Sequence, residues 1–426
     1  MTRRLSAAAV VVAVAASVLI GATPASADYI RDAQYWLDQY GVREAWQTTR
    51  GEGVTIAVID TGVDGTHPDL VGAVTGGADY SGEGSPNGQT PVGSGDDGHG
   101  TMVASLAAGR GSAPDTGGIG VAPAADILSV SIGFGDGASD SDDQVAEAVR
   151  WAVDNGADVI NMSLTRNTLN WPQSWDDAFL YAMQKDVVIV AAAGNRGSGT
   201  TSVGAPATMP GVLTVAGVDR QGAASLDASA QGITIGVSAP SEQLLGAIPG
   251  GSVVQWSGTS GATPIVAGIA ALVIAAHPEL DAANVINHII GTAKDAGARG
   301  SDPIYGFGLV DAAAAVSTNL PAVTANPMGD LAEWVRVNRR AEAPATPALP
   351  PVEEDQGTTN SPAPVPQPDV ALPQNPLGTL YPTVTELRTV GLPLGVTALF
   401  LALLSTLIVF AARHLRIVRR IEQSKR

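Results

Sequence analysis

The sequence predicts an α/β domain built on a mostly parallel central sheet with helices on both faces, followed by a C-terminal transmembrane helix. Three observations predict it. From about Gly53 to Ser317, short apolar β-branched runs alternate with longer segments of helical period, the pattern of β-α-β units. The runs are apolar along nearly their whole length, as strands covered on both faces must be. Near the end, Gly391 to Ala412 carries no charge and is long enough to cross a bilayer as a helix.

Taken in order, the chain opens with Arg3 and Arg4, an uncharged Ala/Val-rich run from Leu5 to Ala22, and Ala25-Ser26-Ala27. This is the layout of a secretory signal with a small-residue cleavage site, so residues 1–27 are expected to be a signal peptide and 28–52 an N-terminal extension. Strands are expected at Val54–Ile59, Asp126–Ile132, Asp158–Met162, Val187–Ala191 and Val212–Val218. A small-residue helix should run from Met102 to Ala108. Another opens at Ser141-Asp142-Asp143, passes Trp151 and Val153, and stops at Gly156, with capping residues before it and glycine after it. Thr263 to Ala276 is apolar all round, which marks a helix buried in the middle of a domain; a further helix spans Asp281 to Ile290. These elements make 53–320 the expected globular domain.

Beyond Leu320 the periodicity fades, and thirteen of the 28 prolines fall between Pro321 and Pro382. Residues 321–390 therefore read as a Pro-rich linker. Within it, Asp330 to Arg340 with Trp334 is amphipathic and suited to dock on the domain, whereas from Ala341 the apolar content is too low to fold. About forty such residues at roughly 3.1 Å each make a semi-rigid stalk of up to about 120 Å. The span at 391–412 is followed by a basic tail at 413–426, with Arg413, Arg416, Arg419, Arg420, Lys425 and Arg426 against Glu422 alone. The positive-inside rule puts this tail in the cytoplasm and the domain outside the cell membrane.

Of the net charge of −18, the tail contributes +5 and Arg3 and Arg4 contribute +2, leaving −25 on residues 28–412. That argues against nucleic-acid binding, which calls for a basic face. There is no cysteine. The fold uses no disulfide despite an oxidising compartment, which a core of this size tolerates.

Four blocks carry candidate chemistry. Val58-Ile59-Asp60-Thr61-Gly62-Val63 is a buried strand ending in an acid, at the strand end where ligands of parallel sheets bind. Asp96-Asp97-Gly98-His99-Gly100-Thr101 sets a histidine between glycines at the mouth of a helix. Of the other four histidines, His414 lies in the tail, His277 in a helix-ending His-Pro, His288 on a helix with core spacing and His67 in a loop. A metal role for His99 is disfavoured, since no cysteine exists and no histidine stands at ligand spacing. Strand Val187–Ala191 runs into Ala192-Ala193-Gly194-Asn195, placing an amide donor beyond a strand end. Ser257-Gly258-Thr259-Ser260-Gly261-Ala262-Thr263-Pro264 places a glycine-flanked serine at a helix N-terminus, whose free N–H groups favour an oxyanion. Each residue also has an ordinary structural use: strand-end acid, structural histidine, turn-forming asparagine, N-cap serine.

The blocks V-I-D-T-G-V, G-H-G-T, A-A-G-N and G-T-S-G-A-T-P, in that order, resemble the four signatures of the subtilisin-like serine proteases, and Tyr305-Gly306-Phe307-Gly308-Leu309-Val310-Asp311 resembles that family's closing segment. The resemblance covers about residues 50–318 and implies the three-layer subtilisin-like fold. It implies a serine endopeptidase in which Ser260 is the nucleophile, His99 the general base, Asp60 its orienting acid and Asn195 the oxyanion donor. It makes Ile160-Asn161-Met162-Ser163-Leu164 the strand on which a peptide substrate adds, with Ser163, Leu164 and Thr165 as substrate-binding residues. Two positions depart from the family pattern: Gly261 follows the nucleophile where a larger residue is usual, and Thr165 replaces a glycine. The expectation is that Gly261 loosens the nucleophile's helix start and that Thr165 restricts the side chains admitted.

About 26 residues separate the cleavage site from the first strand, too few for a folded inhibitory pro-domain. This extension with Trp36, Tyr40 and Trp46, the Pro-rich stalk, the single span and the basic tail resemble the mycosins, membrane-anchored proteases of actinobacterial type VII secretion, although mycosins commonly carry disulfides and this chain has no cysteine. The resemblance implies exported proteins as substrates and a membrane secretion complex as partner. A generic cell-surface protease, or a scaffold of such a complex, are the other readings. No cofactor is required; calcium, which family members often bind, would fall in the acidic loop Asp136 to Asp143, which also reads as a solvated helix-capping loop.

Overall fold

A computed structural model describes residues 29–93, 98–133 and 141–339. The expected signal peptide, transmembrane helix, cytoplasmic tail and most of the linker lie outside the described residues, as do Asp96, Asp97 and the loop portion at 134–140. Two compact units divide the chain, 1–345 and 346–426, and the first of them holds every described residue.

Seven parallel strands form the central sheet: β1 (Thr55–Asp60), β2 (Val74–Asp79), β3 (Asp126–Ser131), β4 (Val159–Met162), β5 (Val188–Ala192), β6 (Leu213–Val218) and β7 (Ile235–Pro240), in the spatial order β2-β3-β1-β4-β5-β6-β7. The strand order reverses beside β1, where chain neighbours part and a crevice opens at the carboxyl ends of the strands. Alternation along each strand sends successive side chains to opposite faces. Ile56, Val58, Val188 and Val190 enter one core, and Ala57, Ile59, Ile189 and Ala191 enter the other. This two-sided burial is why the strands read as unbroken apolar runs.

Helices α1 (Tyr29–Ala33), α2 (Trp36–Gln39) and α3 (Val42–Ala45) precede the sheet; α4 (His99–Ala108), α5 (Ser141–Asp154), α6 (Gln173–Gln184), α7 (Thr259–Ala276), α8 (Ala282–Gly291), α9 (Ala312–Ser317) and α10 (Leu331–Asn338) follow. The first core lies under α4, α7, α8 and α9, and the second under α5 and α6. Among the described residues α7 is the one helix long and apolar enough to cross a membrane, yet 78% of that window is buried inside the domain. It is a core helix.

The N-terminal extension is part of the same core: Trp36 and Leu37 are fully buried, and the Gln34 side chain donates to Ile119 O at 2.8 Å and accepts from Ile119 N at 3.0 Å. At the other end the fold runs past the expected boundary at 320. Residues 321–339 pack on the domain, with the Trp334 ring 4.3 Å from that of Trp171 and Arg339 Nε donating to the buried Asp176 at 2.9 Å. Four strands were not expected from the sequence: edge strand β2, which contains Gly76 and Gly77; β7, which contains Gly236 and ends in Pro240; and the antiparallel hairpin β8 (Leu244–Ile248) and β9 (Ser252–Trp256).

Candidate active site

Asp60 is the last residue of β1, the central strand at the reversal. Its carboxylate is 1% exposed and its Oδ1 accepts from Thr61 N at 2.7 Å and from His99 Nδ1 at 2.8 Å. A carboxylate only accepts, so Nδ1 carries the proton and the lone pair of the imidazole is on Nε2. Asp60 Oδ2 is buried with no hydrogen-bond partner among the described residues. The described histidines divide cleanly. His67 Nε2 donates to Ser252 O, His277 Nε2 to Val316 O and His288 Nδ1 to Ala315 O; His99 alone of the described histidines is hydrogen-bonded to a carboxylate, and its side chain is 18% exposed.

His99 opens α4 behind the N-cap Gly98, whose lack of a side chain leaves the helix without a cap of its own. The cap comes from the strand end: Gly100 N donates to Thr61 Oγ1 at 2.9 Å. Gly100 must be glycine, because a Cβ there would collide with Gly62 O. The turn after Asp60 is thereby locked to the helix that bears His99.

Ser260 is the second residue of α7, whose start at Thr259 lies four residues before the Thr263 that the apolar pattern suggested. Again the N-cap is a glycine, Gly258, and again the cap comes from a neighbouring strand end. Asn195 Oδ1 accepts from Thr259 N and Thr259 Oγ1, both at 2.8 Å. Those two donors fix the amide's orientation and turn its NH₂ toward Gly258, where a Cβ would come within 3.0 Å of Nδ2. Thr259 Oγ1 in turn accepts from Gly194 N at 3.1 Å. Among the described residues no acceptor takes the Ser260 N–H, so it and the Asn195 amide are two donors at one place.

Pro264 has no N–H to give the carbonyl of Ser260 four residues back. Ser163 Oγ donates to that carbonyl instead, at 2.8 Å, while Ser260 Oγ donates to Ser163 O at 3.2 Å. Asn161 Nδ2 supports the arrangement by donating to Ser163 Oγ at 3.0 Å. Ser163 therefore meets Ser260 at two atoms; Leu164 packs on the second core, and Thr165 faces Gly194.

The expectation that Gly261 loosens the helix start is corrected by the packing. A Cβ at Gly261 would collide with Leu244 Cδ1 and approach Trp256 Cζ2 to 3.2 Å. Glycine is there because the hairpin is pressed against the nucleophile turn. Trp256 also stands edge-on to the His99 ring, centroids 5.8 Å apart, so one indole touches both the imidazole and the turn that carries Ser260. Trp256 stands outside every block singled out in the sequence, and although Thr61 and Thr259 stand inside two of them, nothing there pointed to their partners Gly100, Asn195 and Gly194, which lie 39 to 65 positions away in the chain.

Near the acidic loop, Asp142 is paired with Arg166. No group of three or more His, Asp or Glu side chains able to hold a metal occurs among the described residues.

A model of the subtilase family, peptidase S8, matches residues 51–308. The halolysin-like extracellular serine protease Nep of Natrialba magadii is 36% identical over 293 residues, 67% of this chain and 52% of Nep, so the chain spans about half the length of that relative. The crystal structure of MycP1 from Mycobacterium smegmatis superposes with a TM-score of 0.58 at 32% identity, covering 70% of this chain and 88% of that one. The MycP3 protease from the type VII (ESX-3) secretion system superposes with a TM-score of 0.57 at 32% identity, covering 70% and 90%.

Proposed function

Because the chain belongs to the subtilase family and carries a subtilisin-like serine endopeptidase domain, we propose that Ser260 cleaves peptide bonds through an acyl-enzyme, with His99 as base, Asp60 as the acid that orients it, and Asn195 with the Ser260 N–H as oxyanion donors. The observation that carries this reading is the 2.8 Å bond from His99 Nδ1 to the buried Asp60. It keeps the proton on Nδ1 and the lone pair on Nε2, the form a general base needs, and supplies a buried negative charge to stabilise the imidazolium. The unpartnered Asp60 Oδ2 strengthens that demand for positive charge. The Ser260 proton is held by Ser163 O in the resting state, and a turn about χ1 redirects it to the imidazole; such contacts tighten when substrate is bound. As the carbonyl carbon becomes tetrahedral, its oxygen gains charge between two donors already aimed by Thr259 and by the helix start. No cofactor enters this reaction.

The peptide would add as an extra strand beside Ser163 to Thr165. The sequence of 391–426 supports tethering at the outer face of the cell membrane, and the likeness to MycP1 and MycP3 supports action on proteins exported by a type VII secretion complex. A generic cell-surface protease would share the site without that partner, and a scaffold would need the fold but not the chemistry.

The test is fluorophosphonate labelling of the full chain, comparing wild type with Ser260→Ala and His99→Ala. Labelling confined to the wild type is expected. A folded wild type that takes up no label rules out a constitutively active protease, and export supported equally well by Ser260→Ala favours the scaffold.

A further inference from the structure

We propose that Thr165 and Thr200 close the recess for the residue on the acyl side of the scissile bond, so that this chain cleaves after glycine, alanine or serine and rejects large aliphatic and aromatic side chains. Such a specificity rests on the peptidase reading of Ser260 and names its substrate class.

Strands β4 and β5 are neighbours, and their continuations at 163–165 and 193–195 flank the crevice. Ser260 Oγ lies against Ser163 O and the Asn195 amide faces the same turn, so an acyl group on Ser260 with its oxygen on Asn195 must send its side chain between those two segments. There the way is narrow. Gly194 has φ 97°, and a Cβ built on it would come within 2.5 Å of Thr200 Cγ2 and 3.2 Å of Thr165 Cγ2. Two methyl groups from separate loops thus converge on one point in the wall of the recess.

Neither methyl is free to swing aside, because each hydroxyl is tied to residues 166–167. Thr165 Oγ1 donates to Arg166 O at 3.1 Å, and Arg166 N donates to Ala205 O at 2.8 Å. Thr200 is 5% exposed, and its Oγ1 donates to Asn167 Oδ1 at 2.8 Å. Both residues are β-branched and stiff at χ1. Arg166, next to Thr165 in the chain, is paired with Asp142 and lies over the Trp175 ring, 5.6 Å from its centroid. A recess walled by two fixed methyl groups accommodates at most a few heavy atoms.

The experiment uses the full chain, with active sites counted by fluorophosphonate labelling, on tetrapeptide substrates that differ only in the residue before the scissile bond. Discrimination by a snug apolar wall is about 10- to 200-fold per methylene, so alanine should exceed phenylalanine by at least about 10²-fold in kcat/KM per labelled site. Thr165→Gly should bring that ratio below about 10, and Thr200→Ser, which keeps the hydroxyl bond to Asn167 and deletes only the methyl, should lower it as well. Leucine or phenylalanine substrates cleaved as fast as alanine, or a ratio unmoved by both substitutions, would overturn the proposal while leaving the peptidase reading intact. Peptide boronates of the same residues read the recess by affinity alone, and equal binding of the alanine and phenylalanine boronates also overturns it. Failure to label together with failure to bind either boronate overturns both readings.

Discussion

Helices α4 and α7 both start at the crevice behind a glycine N-cap, and both are capped from a neighbouring strand end, yet they hold their reactive side chains differently. The α4 start fixes the His99 ring itself through Asp60, while Thr61 caps the backbone. The α7 start fixes everything around Ser260 instead: Asn195 caps Thr259, Ser163 takes the carbonyl that Pro264 frees, and the hydroxyl has a single 3.2 Å bond to Ser163 O. The difference follows from the tasks proposed for them. A base must keep one tautomer and one orientation, whereas a nucleophile must rotate from its resting bond to attack, so rigidity belongs in the frame around it. Glycine at 98, 100, 258 and 261 gives up the capping side chain or the Cβ so that other elements can approach both turns.

The largest expected effect tests whether the two turns act as one unit. Ser260→Ala and His99→Ala should each lower peptide turnover by about 10⁶-fold, the magnitude found in subtilisin, and the double variant should lose little more; additive losses in steady-state kinetics would break the coupling. Next comes the α7 frame. Asn195→Ala should lower kcat by about 10²–10³-fold, again the subtilisin magnitude. Because Asn195 also caps Thr259, it should in addition cost about 1 kcal/mol of stability in thermal unfolding.

Ser163→Ala removes the donor that satisfies the Ser260 carbonyl and should cost about 1–3 kcal/mol, seen as a lower Tm. Thr61→Ala removes the cap on α4 and should cost about 1 kcal/mol. If Thr61→Ala proves costlier than Ser163→Ala, the frame around the nucleophile is not the more demanding of the two.

The smallest effect is electrostatic and local to the turn after Asp60. Burial pushes the Asp64 carboxyl up, but hydrogen bonds from the Thr66 hydroxyl, Thr66 N and Gly250 N outweigh it and hold the group below its ordinary value of 3.8. A depressed folded value means that its contribution is present above 3.8 and is lost as the pH falls through the folded value. The Tm difference between wild type and Asp64→Asn should therefore be largest near neutrality and vanish in acid. Because Gly250 joins β8 to β9, amide exchange in the hairpin should speed up over the same range.

The interior strands were legible to within a residue because each is buried on both faces, so composition alone marks it. β2 and β7 were not, since glycines at close backbone approaches replace the β-branched residues: a Cβ at Gly236 would meet Leu213 and Met328, and one at Gly77 would collide with backbone oxygens. The amphipathic docking of 331–338 was legible from Trp334 and its spacing, but its partners Trp171 and Asp176 were not.

By itself the sequence determined the α/β class and the family and singled out Asp60, His99, Asn195 and Ser260 as the candidate site, because strand periodicity and glycine-flanked polar residues are properties of short windows. Only the tertiary structure decided what those residues are joined to. Thr61 caps the histidine's helix, Thr259 aims the asparagine, Ser163 takes over the carbonyl left by Pro264, Trp256 spans the two turns, and Thr165 and Thr200 face each other across Gly194. These contacts join strand ends and loops that are distant in the chain, and short-range periodicity carries no information about which strand ends will be neighbours.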